Sequence, residues 1–493
     1  MGHDVRNYVA GEWIGTQTGK VVKNINPADT DEVIGTAPLQ DVAVLERAIE
    51  AAAAAFPAWR KVPAPRRGAI LFEAHRILTS RADDLARVMT REEGKTLAES
   101  RGEILKSLAL LEFMAGEGRR IGGETLPSEM PNTFCYTTRV PHGVVAAITP
   151  WNFPVAIPVW KIAPALVAGN CVVFKPATVT PWTAEMVVEA FVDAGVPPGV
   201  LNFITGSGRT VGEALLHHPT IKAISFTGSN EVGMHLYEVA SGSGKAVQCE
   251  MGGKNPIVVL ADADLDLAAV AAVQGAFGST GQRCTATSRV VVERSVASAL
   301  VERIVSHAGE IVVGNGLREG VTMGPCVDEG QMRTVLSYIE KAREEGAEFA
   351  LGGDRLSGPE YDRGYFVAPT VVTGVTPEMT IAQEEVFGPV LSVIEVDGFE
   401  EALSVANGVR YGLTSSIYTR DVNRVFQFLD DIETGIVHVN SPTVGGEAQL
   451  PFGGMKATGI GPREQGKTAI EFYTELKTVY VDYTGQVRQT KIY

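Results

Sequence analysis

Hydrophobic positions along this chain fall into two alternating patterns. Short continuous apolar runs predict strands, and longer stretches with an apolar stripe at helical spacing predict helices. Asp41 can cap a helix that starts at Val42 and carries Val44, Leu45 and Ile49 on one face. It runs through the alanines Ala51–Ala55 and stops near Pro57. The stretch from Arg66 to Gly94 reads as one or two more helices. The apolar strand 143–148 ends in Pro150-Trp151-Asn152-Phe153-Pro154. A helix then leads to Ala168, Gly169-Asn170 breaks it, and the strand 171–174 follows. A second strand–helix–strand unit runs from 201–204 through 211–217 to 223–226. Parallel strands joined by helices make a doubly wound α/β sheet whose ligand lies at the carboxyl ends of the strands.

A new apolar strand, 256–260, follows Glu250, and Asp262 and Asp264 can cap the alanine-rich helix after it. This opens a second α/β unit and puts Glu250 near a domain junction, where clefts form. The strands 133–140 and 474–482 stand outside the alternation, and isolated strands of this kind often pair with a second subunit.

Composition narrows the function. A chain of 493 residues exceeds one ordinary core, so at least two domains are expected. A net charge of −15 argues against nucleic-acid and anionic-membrane partners. No apolar run reaches the ~18 residues of a membrane span, and the polar start lacks a signal peptide's apolar region. The five cysteines are scattered, with no C-x-x-C pair, which disfavours a disulfide framework or a metal site and suits the reducing cytoplasm.

Cys135, Cys171 and Cys326 read as small buried apolar residues, and Cys249 should point away from Glu250 on a strand. Cys284 differs. Gly281-Gln282-Arg283 precede it, small polar residues follow, and Arg283 can favour a thiolate. It reads either as a nucleophile or as one more buried thiol. Glu250, ahead of Gly252-Gly253, reads as a base that activates water or as a partner of Lys254 or Lys245. Lys175, ending a strand, suits a nucleotide's ribose or phosphate, or simply solvent. Gly206-Ser207-Gly208-Arg209-Thr210-Val211-Gly212 misses the dinucleotide spacing by one residue. Phe226-Thr227-Gly228-Ser229 joins a strand to a helix whose N-terminus can hold a pyrophosphate. Asn152 offers a side-chain amide to an oxyanion, or only shapes a turn.

Assembled, these segments resemble the aldehyde dehydrogenase superfamily. The likeness rests on Pro150-Trp151-Asn152-Phe153-Pro154, Lys175-Pro176-Ala177, Phe226-Thr227-Gly228-Ser229, Glu250-Met251-Gly252-Gly253-Lys254, Gly281-Gln282-Arg283-Cys284, Glu384-Glu385-Val386-Phe387-Gly388-Pro389 and Pro451-Phe452-Gly453-Gly454, in the family's order. It implies a Rossmann-type cofactor domain over residues 1–123 and 143–250, a catalytic domain over 251–452, and oligomerisation strands over 124–142 and 471–493 of a homodimer or homotetramer. It implies Cys284 as nucleophile, Glu250 as base for thioester hydrolysis, and Asn152 as oxyanion donor with the Cys284 N–H. Glu475 matches a carboxylate near the base that relays protons. Lys175, Thr178, Gly208, Phe226, Gly228, Ser229, Glu385 and Phe387 match cofactor-contacting positions. NAD-preferring relatives often carry glutamate where Thr178 stands, so NADP acceptance, alongside NAD, is expected.

Succinic semialdehyde dehydrogenases often carry arginine where this chain has Trp160. The phrases Ile157-Pro158-Val159-Trp160-Lys161, Cys284-Thr285-Ala286-Thr287-Ser288-Arg289 and Asn440-Ser441-Pro442-Thr443-Val444-Gly445-Gly446 resemble instead the α-ketoglutaric semialdehyde (2,5-dioxovalerate) dehydrogenases. Arg283 is then a candidate for the substrate carboxylate or a member of a structural salt bridge. A broad-specificity aldehyde dehydrogenase and a relative without activity are the competing readings.

Overall fold

The computed structural model describes residues 2–485. An eight-stranded sheet holds the first half of the chain. Five parallel strands form its centre, in the spatial order Ala246–Glu250, Ile221–Thr227, Val144–Ile148, Cys171–Lys175, Leu201–Phe203. The order reverses between Val144–Ile148 and Ile221–Thr227. The loops leaving those two strands, 149–155 and 228–229, therefore face a crevice at the carboxyl edge.

A late segment completes this sheet. Gly459–Ile460 pairs antiparallel with Ala246–Glu250, and the helix Gly466–Phe472 packs against the helix Ala156–Ala168. Residues 453–470, which the sequence reading assigns to no domain, thus include segments that pair with and pack against this first sheet.

A second, seven-stranded sheet is parallel except for the edge strand Glu348–Leu351. Its strand Thr287–Glu293 buries Val290 and Val292 in one core and Val291 in another. Apolar packing on both faces explains why its strands are continuous hydrophobic runs.

The two isolated strands pair with each other. Thr474–Asp482 runs antiparallel to Thr133–Pro141 through nine registered residues of the same chain. Their sheet exposes Phe134, Leu476 and Tyr480. Residues 486–493 of the expected oligomerisation segment, like Met1, lie outside the described residues.

Two of the three expected capping aspartates cap their helices. Asp41 accepts from Val44 N (3.2 Å) and Asp264 from Leu267 N (3.2 Å). Asp262 instead accepts from Thr419 Oγ1 and Arg420 N, tying the helix entry to a neighbouring strand. The first long helix, Val42–Trp59, includes Pro57 in its last turn rather than ending before it. Among the described residues no helix is long and apolar enough to cross a membrane.

Candidate active site

The turn ahead of Cys284 is strained and tied down. It leaves the helix Leu265–Phe277 with Ser279 (φ 50°), Thr280 (φ 58°) and Gly281 (φ 67°) all in left-handed backbone. Such a conformation costs about 1–3 kcal/mol at each non-glycine position. Ser279 N donates to Glu99 Oε1 (2.5 Å), Thr280 Oγ1 to the Gly324 carbonyl (3.0 Å), and Val327 N to Gln282 Oε1 (3.0 Å). At Gly281 a Cβ would sit 2.1 Å from the Gly388 carbonyl oxygen, so only glycine fits. On the other flank, Asn255 Nδ2 donates to the carbonyls of Cys284 (2.7 Å) and Ala286 (2.8 Å). Cys284 is partly exposed, whereas Cys135, Cys171, Cys249 and Cys326 are buried. Cys249 turns to the Gly233 carbonyl, away from Glu250.

Two cavities meet at Cys284. The larger, about 310 Å³, has an apolar wall of Phe153, Ile157, Trp160 and Phe452, with Lys106 and Arg283 set into it. The smaller, about 220 Å³, is lined by Trp151, Asn152, Thr227, Gly228, Ser229, Gln331, Glu385 and Phe387. Phe387 takes φ 55°, its carbonyl accepts from Gln331 Nε2 (2.9 Å), and its ring meets Trp151 edge-on at 5.4 Å.

Asn152 is held by a buried ion pair. Lys95 Nζ donates to the Asn152 carbonyl (2.6 Å) and to Glu103 Oε2 (2.7 Å). Glu103 Oε1 accepts from Val155 N (2.8 Å) and Ala156 N (3.0 Å), fixing the loop at the start of the next helix. The Asn152 side chain donates to the Gln282 carbonyl (3.0 Å), which docks the amide beside the cysteine turn.

Glu250 ends its strand behind the wall formed by Met251 and Gly252. Lys245 reaches the Leu216 carbonyl, and Lys254 feels Glu385 and Glu384, so neither expected partner neutralises Glu250. Burial, and then the nearby Glu464, hold its carboxyl well above the usual range; Arg463, Lys161 and the Gly454 N–H oppose this. Glu250 Oε1 is buried without a hydrogen-bond partner among the described residues. Burial, followed by Glu250 and Glu385, also raises the Cys284 thiol. Arg283 does not lower it. Its guanidinium donates to Ser279 Oγ (2.9 Å), pairs with Glu99 Oε1 (3.8 Å) and lies over the Phe153 ring.

The family model for the aldehyde dehydrogenase family matches residues 13–479. This chain belongs to the aldehyde dehydrogenase family. It is similar to the α-ketoglutaric semialdehyde dehydrogenase of Bacillus subtilis, at 47% identity over 96% of this chain and 97% of that one. The 2,5-dioxopentanoate dehydrogenase of Saccharolobus solfataricus is 45% identical over 96% and 98%. Among solved structures, betaine aldehyde dehydrogenase from Staphylococcus aureus in complex with NAD+ matches with a TM-score of 0.95 and 35% identity. That match covers 98% of this chain and 95% of that one.

Of the residues expected for an aldehyde dehydrogenase, Cys284, Asn152, Gly228, Ser229, Glu385 and Phe387 line one continuous cleft. Ser229 caps the helix Asn230–Ser241, which opens at that cleft. Glu385 Oε1 accepts from Gly253 N (3.0 Å), and a Cβ at Gly252 would strike Glu385 Oε2 at 2.0 Å. The glycine pair therefore marks the close approach of Glu385. Lys175 ends its strand buried, its ammonium lowered to about 8 by that burial, with Thr178 in the loop beyond. Gly208 opens an exposed π-helical turn after Leu201–Phe203. Phe226 faces inward, packed beneath Gly228, where a Cβ would meet its ring at 2.5 Å.

Glu475 is a correction. It lies on the exposed strand Thr474–Asp482 and pairs with His142 (3.1 Å). The carboxylate that presses on Glu250 is Glu464, buried against Lys161 Nζ. Phe452 and Glu464 exchange backbone hydrogen bonds of 2.7 and 2.8 Å, which turns Glu464 inward, whereas Glu475 sits at a solvent-facing strand position. Glu464 shares a glycine-bracketed stretch, Gly461-Pro462-Arg463-Glu464-Gln465-Gly466, the same kind of signal that singles out Glu250. Asn255 and Lys95 carry no comparable signal, because each positions the site through backbone carbonyls far away in the sequence.

Proposed function

We propose that this aldehyde dehydrogenase oxidises α-ketoglutaric semialdehyde to 2-oxoglutarate with NADP or NAD. One observation carries the mechanism: Cys284 lines both cavities, with the Asn152 amide docked on the turn before it. The Cys284 thiol gives up its proton to water as the sulfur adds to the aldehyde carbon. The oxyanion is held by the Asn152 amide and the Cys284 N–H, donors already fixed before reaction. Loss of hydride leaves a thioester on Cys284. Glu250, through its unpartnered Oε1, takes a proton from water, and the hydroxide releases the acid.

The smaller cavity fits a nicotinamide cofactor. Thr227 Oγ1 is buried there without a partner, Glu385 presents a carboxyl fixed by Gly253, and a helix N-terminus opens on it. When bound, the nicotinamide supplies the hydride acceptor. Lys175, Thr178 and Gly208, at the same edge of the sheet, extend the site toward the ribose and adenine end, with Phe226 supporting the Gly228 turn. The neutral Thr178 hydroxyl leaves room for a 2′-phosphate, so NADP acceptance is part of this reading.

The names of the two similar dehydrogenases favour a substrate with a distal carboxylate, and Arg283 is its candidate partner. The Arg283 Nε is buried without a hydrogen-bond partner in the wall of the larger cavity. The sheet exposing Phe134, Leu476 and Tyr480 supports a homodimer or homotetramer. The test is kcat/KM for α-ketoglutaric semialdehyde against pentanal, with each cofactor. A large advantage for the semialdehyde is expected; equal values refute the substrate assignment.

A further inference from the structure

A second cation stands at the neck of the larger cavity. Lys106, on the helix Leu97–Glu117, lines both that cavity and an outer hollow of about 540 Å³ whose rim includes Glu112 and Glu447. Its ammonium donates to the carbonyl of Gly446, which borders both spaces. That is a neutral acceptor, so the lysine's charge is not matched there. Burial lowers Lys106, while a charged Cys284 or Glu447 would raise it, which means the ammonium stands within electrostatic reach of the reacting sulfur.

The acids in the same wall are already committed elsewhere. Glu103 is taken by Lys95, Val155 N and Ala156 N, and Glu99 by Thr96, Ser279 N and one guanidinium nitrogen of Arg283 (3.8 Å). The donors are open by contrast: Arg283 Nε and the indole N–H of Trp160 have no partner. An aldehyde entering this funnel therefore meets cations and unmet donors on an otherwise apolar wall. Burying such donors unpaired is costly, and a carboxylate satisfies them.

We infer that Lys106 is a specificity-determining residue, holding the distal carboxylate of an ω-carboxylated aldehyde at the neck opposite Arg283. The inference rests on the semialdehyde reading above. Its carboxylate contact is made in substrate and transition state alike, so it acts on KM more than on kcat.

The test compares 5-oxopentanoate with pentanal, aldehydes of equal length, on the wild-type enzyme, Lys106→Met and Lys106→Arg. The expected result is a kcat/KM ratio, charged over neutral, that falls by about tenfold or more in Lys106→Met, mainly through KM, and is largely retained in Lys106→Arg. An unchanged ratio in Lys106→Met overturns the inference. Equal losses on both substrates also overturn it and assign Lys106 to supporting the thiolate or the helix. A wild-type enzyme with no preference for 5-oxopentanoate refutes the semialdehyde reading itself and the inference with it. A strong wild-type preference that survives Lys106→Met refutes the lysine alone.

Discussion

The two cavities that meet at Cys284 are built from different parts of the chain. The cofactor side is made by turns at strand ends, Trp151-Asn152 and Thr227-Gly228-Ser229, with Glu385 and Phe387 closing it from the second sheet. The larger cavity is made chiefly by helix faces, with Glu99, Glu103 and Lys106 from one helix and Ile157 and Trp160 from another, closed by Phe153, Arg283, Phe452 and Gly445-Gly446 from loops. A turn at a strand end needs particular residues in a row, because backbone must approach ligand or neighbour closely. A helix face needs only a side chain every third or fourth position, and its neighbours are free to vary. The first kind of wall can serve every member of a family, while the second can be tuned to one aldehyde.

Breaking the shared atom has the largest effect on both sides. Cys284→Ala should abolish turnover, a loss of about a million-fold or more of the kind seen when a catalytic nucleophile is removed. NAD(P)H absorbance checks this. Cofactor binding, measured by fluorescence quenching, should survive, because the smaller cavity keeps its other walls. Loss of binding as well would mean the two cavities are not separable.

Asn152→Ala should lower kcat by roughly a hundred- to a thousand-fold, as expected for one preorganised oxyanion donor. Steady-state kinetics on a neutral and a charged aldehyde should show the same loss, since the amide serves the reacting carbon rather than the tail. A loss confined to the charged aldehyde would move Asn152 to the specificity wall.

Glu250→Gln separates the steps in time. A burst of reduced cofactor near one equivalent is expected in a stopped-flow trace, followed by very slow cycling. The raised Glu250 carboxyl also gives a sign: it works as a base only when deprotonated, so wild-type kcat should climb with pH as the carboxyl ionises, along a limb absent from Glu250→Gln. If the variant shows no burst, Glu250 acts before the thioester forms.

The same contrast explains what was legible in the sequence. The strand–helix alternation and the capping aspartates are local; the alternation describes the first sheet closely, Asp41 caps a helix beside it and Asp264 one beside the second sheet. The motifs around Cys284 and Glu385 are also local, because glycine or strained backbone stands beside them, and with Asn152 these residues come together. Lys95, Asn255 and Lys106 act through contacts 57, 29 and 340 residues away, and no spacing encodes such partners. Glu475 shows the limit for charges. Three glutamates, Glu464, Glu471 and Glu475, stand within one short stretch, and the backbone pairing of Phe452 with Glu464 turns that one inward beside Glu250.

The smallest expected effect lies on the cofactor side. Thr178→Glu should place a carboxylate near the position proposed for the 2′-phosphate and shift the ratio of kcat/KM values toward NAD by about tenfold, or about 1.4 kcal/mol. Thr178 is half-exposed, so solvent screens the new charge and holds the effect to that size. The readout is the NADP-to-NAD ratio on a single aldehyde. The charged-to-neutral aldehyde ratio, measured in parallel, should stay put, since that wall is built by other helices. Movement of both ratios would show that the two cavities communicate through more than the sulfur they share.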